Sequence, residues 1–166
     1  APENGQIYDH HFVEYEYADG TLLYSQARQI PECTRDISES AIGTLGRANL
    51  MQREFTISGP NKASKQFRKN EDGHQLEHYP FFEAIRKDLP HNEAKRGALA
   101  TMTAILGRMS NYSGQDVTWE DAMASNQTLV PEDLVDFSSP APVQPDEEGR
   151  YPIAVPGVTD PFKVWY

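Results

Sequence analysis

The chain has one cysteine in 166 residues, so no internal disulfide can staple it, and Cys33 leaves the redox compartment open. A catalytic thiol would need a histidine or basic neighbourhood, and a lone cysteine is usually a buried small hydrophobe, so Cys33 is expected to be one. Long apolar runs are missing as well. Nothing approaches the roughly 18 residues that a membrane-spanning helix requires, and no signal-like segment opens the chain. Neither G-x-G-x-x-G nor G-x-x-x-x-G-K-[ST] occurs, and Gly43-Thr-Leu-Gly46 is too short to cradle a phosphate. The chain therefore has no dinucleotide site of its own. No serine stands in a G-x-S-x-G setting, which leaves a serine-hydrolase reading without support. Basic residues are scarce: 15 Lys and Arg against 25 Asp and Glu give a formal net charge of −10. That balance argues against a nucleic-acid partner, whose affinity comes largely from neutralised phosphates. The acid is spread along the chain, which suits solubility.

What is present suffices for one domain with its own core, at 38% apolar and 24% charged residues. His11–Tyr17 and Leu22–Arg28 are rich in β-formers and flank Asp19-Gly20, the strongest short signal for a hairpin. A type I′ turn on those two residues pairs Tyr17 with Leu22 and Tyr15 with Tyr24. One face then carries Val13, Tyr15, Tyr17, Leu22 and Tyr24, and the other Phe12, Glu14, Glu16, Leu23, Ser25 and Ala27, so both are mixed. Pro31–Asp36 reads as a loop. Ser38–Thr44 and Arg47–Met51 read as strands around Leu45-Gly46, Glu54–Ser58 as a third, and Asn61–Gly73 as polar turn.

A helix is expected from near Glu77 to about Lys87, with Pro80 confined to its first turn. Asn92 is a good N-cap for the next helix, whose residues Ala94, Ala98, Leu99, Met102, Ile105, Leu106 and Met109 form one apolar stripe. Gly97 and Gly107 weaken it by about 1 kcal/mol each relative to Ala, which implies close approach of another backbone. Gly114 fits the C′ stop, and Thr118-Trp-Glu-Asp121 a capping box for a short helix through Ala124. Most of the prolines lie from Pro131 onward, so 131–166 reads as an extended tail on the same domain.

His74-Gln-Leu-Glu77-His78 spells H-x-x-E-H, a zinc-hydrolase pattern in which two histidines hold the metal and the glutamate acts as base. Its third ligand would have to be Glu132, Glu147 or Glu148, all in proline-rich sequence, and Pro80 places His74 ahead of the helix proper. It stands as the alternative function, beside a non-catalytic binding or assembly module. Asp9-His10-His11 sits on a strand, where the two rings face opposite sides and no aspartate cluster accompanies them.

Several blocks resemble the bacterial branch of the Gfo/Idh/MocA family, the glucose–fructose oxidoreductase and inositol dehydrogenase type. They are Tyr8-Asp-His-His-Phe-Val-Glu-Tyr-Glu-Tyr-Ala-Asp-Gly-Thr21, Ser25-Gln-Ala-Arg-Gln-Ile-Pro31, Gly43-Thr-Leu-Gly46, Glu77-His78, Phe82-Glu-Ala-Ile-Arg86, Asn92-Glu-Ala94, Thr101-Met-Thr-Ala-Ile-Leu-Gly-Arg-Met109, Tyr112-Ser-Gly114 and Gly149-Arg-Tyr-Pro152. They follow the family order over nearly the whole chain.

The resemblance implies an α+β domain: an open, largely antiparallel sheet with helices packed on one face, spanning 1–130, plus the proline-rich extended C-terminal tail. It implies the C-terminal, substrate-cleft and oligomerisation domain of an NAD(P)-dependent oxidoreductase. Such an enzyme moves hydride between a sugar, polyol or derivative and a nicotinamide. NAD or NADP would be held by an N-terminal Rossmann domain, which this sequence does not contain, so the chain alone would be inert. Implied partners are that domain, a sugar-like substrate and further copies of the chain through the open sheet face, with no nucleic acid and no membrane; the compartment is cytoplasmic or periplasmic. The family's Glu-Lys-Pro lysine and H-x-x-D element have no counterpart, so no catalytic residue carries over and no metal site is implied. A hydroxyl-rich substrate suits forked donors and acceptors, and Arg28, Arg35, His78 and Asn92 are the residues expected to border its cleft. Cys33-Thr-Arg-Asp36 departs from the aromatic and asparagine usual in relatives.

Overall fold

The computed structural model describes residues 7–51, 54–66, 72–128, 136, 138–141 and 143–163. Six strands come first: β1 (His10–Glu16), β2 (Leu22–Arg28), β3 (Asp36–Gly43), β4 (Gly46–Met51), β5 (Glu54–Ser58) and β6 (Ala63–Gln66). Four helices follow: α1 (Gly73–Leu76), α2 (His78–Lys87), α3 (Ala94–Ser113) and α4 (Trp119–Ala124). The strands form one open sheet in sequence order, and the pairs from β2 through β6 are antiparallel. The architecture is α+β. No described helix is long and apolar enough to cross a membrane. The chain divides into two compact units, Glu14–Thr101 and Ala1–Val13 with Met102–Tyr166.

In the first of these units the β1–β2 hairpin departs from expectation. Tyr17 N–H donates to Thr21 O at 2.9 Å and Gly20 N–H to Tyr17 O at 2.8 Å, so the loop has three residues, Ala18 to Gly20. Gly20 lies at φ +79° while Asp19 keeps a negative φ, which rules out a type I′ turn and fits a turn closed by a left-handed glycine bulge. Tyr17 thus faces Thr21 rather than Leu22, and Glu14 comes opposite Tyr24, where their side chains hydrogen-bond. A one-residue slip turns every β2 side chain to the other face. The β1–β2 faces thus differ in membership from those the sequence suggests and are better sorted, although Phe12 and Leu22 still lie on the side of Glu14 and Glu16. Along the register, Glu14, Glu16, Tyr24, Gln26, Asp36, Ser38, Ser40, Arg47, Asn49, Glu54 and Thr56 share a mostly polar face, which also carries Leu22, Ile42 and Met51. Tyr15, Leu23, Ala27, Ile37, Ala41, Ala48, Leu50, Phe55 and Ile57 share a mostly apolar one, interrupted by Ser25, Glu39 and Lys65.

Asn61–Gly73 is not all turn: Ala63–Gln66 adds the sixth strand, with Ile57 opposite Ala63 and Thr56 opposite Ser64. Its polar residues escaped notice because an edge strand need bury neither face. The helix expected near Glu77 begins at His78 after the separate turn α1, capped by Asp72, whose carboxylate accepts from His74 N–H. Pro80 falls in the first turn of α2. Cys33 is exposed, not buried, because it lies in a surface loop, residues 31–35, that is exposed throughout.

Helix α3 starts two residues after Asn92, whose side-chain oxygen accepts from Ala94 N–H at 2.9 Å. In its N-terminal part Leu99 is 43% exposed, and a Cβ added at Gly97 would meet nothing within 4 Å, so no backbone approaches there. In the second unit its C-terminal half buries Gly107, Met109, Tyr112 and Ser113. Met109 is only 1% exposed, and burying such a side chain contributes about 1.5–3 kcal/mol. The Tyr8 and Tyr112 rings stack with centroids 4.4 Å apart, and Arg108 lies 4.7 Å over the Tyr112 ring. Tyr8 Oη donates to Ala154 O at 2.5 Å, and Gly157 N–H to Ser113 O at 2.6 Å. Thr118 caps α4 as expected, accepting from Asp121 N–H at 3.1 Å. The tail boundary at Pro131 lies outside the described residues.

Gly114 ends α3 at φ +69°, and an added Cβ would lie 2.9 Å from Pro156 Cβ. Gly114→Ala should cost about 1–2 kcal/mol from the left-handed backbone alone, read as an earlier urea-unfolding midpoint. An unchanged midpoint would show that this joint bears no strain.

Burial raises the Tyr8 and Tyr15 phenols above the ordinary tyrosine range, with neighbouring Tyr112 and Tyr17 adding to it. Desolvation and the Glu14 carboxylate raise Tyr24, against a smaller opposing pull from Arg47. A phenol holding its proton more tightly when folded stabilises fully below the unfolded value of about 10 and loses that contribution as pH rises through the folded value. The thermal midpoint should therefore hold to about pH 9 and fall beyond about pH 10. A midpoint flat across that range contradicts the assignment.

Candidate functional site

The polar face of the sheet is hollowed into a cleft of about 290 Å³ across β2, β3, β4 and β5, lined by Gln26, Asp36, Ser38, Ser40, Arg47, Asn49, Met51, Glu54 and Thr56 among others. Alternation places these side chains together: each is two residues from the next on its own strand and directly or diagonally opposite on the neighbour. At one end Gln26 Nε2 donates to Asp36 Oδ2 at 2.8 Å and to Ser38 Oγ at 3.1 Å, while Ser38 Oγ donates to Asp36 Oδ1 at 2.8 Å. Toward the other end Arg47 Nε donates to Asn49 Oδ1 at 3.1 Å, and Arg47 Nη2 reaches Ser40 Oγ at 3.4 Å. Amides, hydroxyls and carboxylates in this arrangement offer donors and acceptors to a hydroxylated or polar surface. Asp36, Glu39 and Glu54 against one guanidinium, Arg47, give the cleft an acidic balance that disfavours anions.

The sequence had not pointed to this cleft. Its signal was the alternation Asp36-x-Ser38-x-Ser40 with Asn49-x-Met51, which marks one face once the register is fixed.

The four expected cleft residues are not hydrogen-bonded to one another among the described residues. Arg28, at the end of β2 opposite Asp36, donates from Nε to Thr34 O at 2.7 Å. Arg35 is exposed on the loop that precedes β3. His78 opens α2, its Nδ1 2.7 Å from the carbonyl of His74 and its ring 6.0 Å from that of Phe82. Asn92 uses its side-chain oxygen as the cap of α3.

For the H-x-x-E-H pattern, His74 lies in α1 and His78 in α2, and a His78 ring nitrogen meets the His74 carbonyl instead of pointing jointly with the His74 ring at a metal. Among the described residues no group of three or more His, Cys, Asp or Glu could hold a metal ion. Glu132 lies outside the described residues.

The fold thus defines an α+β domain with an open antiparallel sheet, polar and hollowed on one side. Comparison with protein-family models, with curated proteins and with solved structures finds no match to this chain.

Asp36→Ala would leave the Gln26 amide and the Ser38 hydroxyl without their shared acceptor. The half-buried site should lose about 1 kcal/mol, and Asp36→Asn, which keeps one acceptor oxygen, less. Equal urea midpoints for Asp36→Ala and wild type would show that the network contributes nothing.

Proposed function

We propose that the chain is the C-terminal, substrate-cleft and oligomerisation domain of an NAD(P)-dependent oxidoreductase of the Gfo/Idh/MocA type, acting on a sugar, polyol or derivative by hydride transfer. The observation that carries this reading is the sorted antiparallel meander followed in sequence by helices. It is the layout that the ordered motif blocks imply. An apolar sheet face carrying Leu23, Ala41, Leu50, Phe55 and Ile57 suits a layer of helices, and a polar face suits an open side that meets a second copy of the chain.

The division of labour follows from chemistry. Hydride transfer requires a nicotinamide held by a glycine-rich turn at a helix N-terminus. This sequence has no such turn, so the nucleotide belongs to a Rossmann partner domain, which binds it and presents the nicotinamide. The residues of this chain then bind and orient the hydroxylated substrate. Arg28, Arg35, His78 and Asn92 are the side chains assigned to that border.

Titration calorimetry of NAD⁺ and NADP⁺ into this chain should give no saturable heat. The full-length gene product should bind one of the two and reduce it with a sugar or polyol. Saturable binding to the chain alone, or a full-length product with no affinity for either nucleotide, would overturn the proposal.

A further inference from the structure

We propose that two copies of this chain associate by exchanging helices, α2 of each covering the apolar sheet face of the other. Both surfaces belong to the unit Glu14–Thr101. Helix α2 carries Phe81, Phe82 and Ile85 along one side, with Leu89 just past its end, and these four are between 44% and 61% exposed. Large apolar residues gathered at helical spacing belong against another layer rather than in water. Ala84, the one buried residue of α2, lies toward the other side of the helix. The helix is therefore held in its own chain by one side and turns its larger apolar side outward.

The sheet offers the matching surface. Across β2 to β5 no residue of the apolar face is buried, and Leu50 and Ile57 are exposed. An open sheet face is covered by helices, and charge identifies which helix. Glu39 is the one carboxylate on that face among the described strands, directly opposite Leu50. Lys65 lies three strands away, about 14 Å, too far to serve it. On α2, Lys87 is already paired with Glu83 at 2.5 Å, whereas the Arg86 guanidinium, beside Ile85, has the Phe82 ring at 6.0 Å. A guanidinium flanking an apolar stripe answers a lone carboxylate within an apolar face. Setting Arg86 on Glu39 brings Ile85 onto Leu50. Half-exposed side chains of this size leave roughly 100 Å² each to bury. A two-fold exchange buries two stripes and two faces, roughly 1,600 Å² in all, the size of a stable interface, and it closes at two copies. The contact lies on the side away from the polar cleft and does not depend on the oxidoreductase reading.

Sedimentation velocity over a concentration series tests this with wild type, Glu39→Arg, Arg86→Glu and Ile85→Arg. Wild type should self-associate. Each charge reversal should weaken association about tenfold, and Ile85→Arg should do so at least as strongly. Because Ile85 is exposed in the single chain, the melting temperature of dilute Ile85→Arg should match that of wild type. An equimolar mixture of Glu39→Arg and Arg86→Glu should associate within about twofold of wild type, since opposite charges then meet at both contacts. Mixing cannot repair a contact made within one chain. A wild type that stays monomeric, an association that the reversals leave unchanged, or a mixture no tighter than its components overturns the proposal. A lowered melting temperature or failure to fold in Ile85→Arg also overturns it, because the stripe would then pack within its own chain.

Discussion

The backbone hydrogen bond from Tyr17 to Thr21 is short and local, yet it decides which side of the sheet each β1 side chain joins. With three residues in the loop, Glu14 meets Tyr24 and every β2 side chain follows in step. From β2 the register passes strand by strand to β5, so Gln26, Ser38 and Met51 share a row, as do Tyr24, Ser40, Asn49 and Thr56. Moving the loop by one residue would put Leu23 on the side of Glu14 and Glu16 and Tyr24 on the side of Val13 and Tyr15, with the β2 to β5 pairing unchanged. The hollowed polar cleft itself rests on the β2 to β5 registers, and glycine at position 20 sets how β1 lies against them.

The second unit is held by different means. Its core is small, with Met109, Tyr112 and Ser113 from one helix face, Ala122 from α4 and Ala154 from the C-terminal segment. Polar bonds secure what area alone does not: the Tyr8 hydroxyl on the Ala154 carbonyl, and the Gly157 amide on the Ser113 carbonyl at the open end of α3. The last carbonyls of a helix need partners, and here the returning chain supplies one. Gly114 lets the backbone turn away without colliding with Pro156.

Much of the element order was legible because it rests on local rules. Asn92, Thr118 and Gly114 act as caps and stop because side-chain oxygens and positive φ are properties of single residues. The strands Arg47–Met51 and Glu54–Ser58 were readable for the same reason. The sixth strand was not, since Ala63–Gln66 gains its state only by pairing with β5. Nor was the exposure of Cys33, the empty space around Gly97, or the partition of α3 into an exposed first half and a buried second half. Arg28 and His78 suit a hydroxylated substrate by their chemistry, yet the structure engages each with backbone, which residue type could not foretell, whereas the cap made by Asn92 follows from its type.

Sequence by itself determined the acidic balance, the absence of a phosphate-gripping glycine turn, the single thiol, and the run of strands followed by capped helices. These depend on residue identity and near neighbours. Tertiary structure alone decided the hairpin register, the sorting of the two sheet faces and the gathering of Asp36, Ser38, Asn49 and Thr56 around one cleft. It also decided the left-handed backbone at Glu32. Each of these turns on hydrogen bonds or φ angles that only the folded chain specifies.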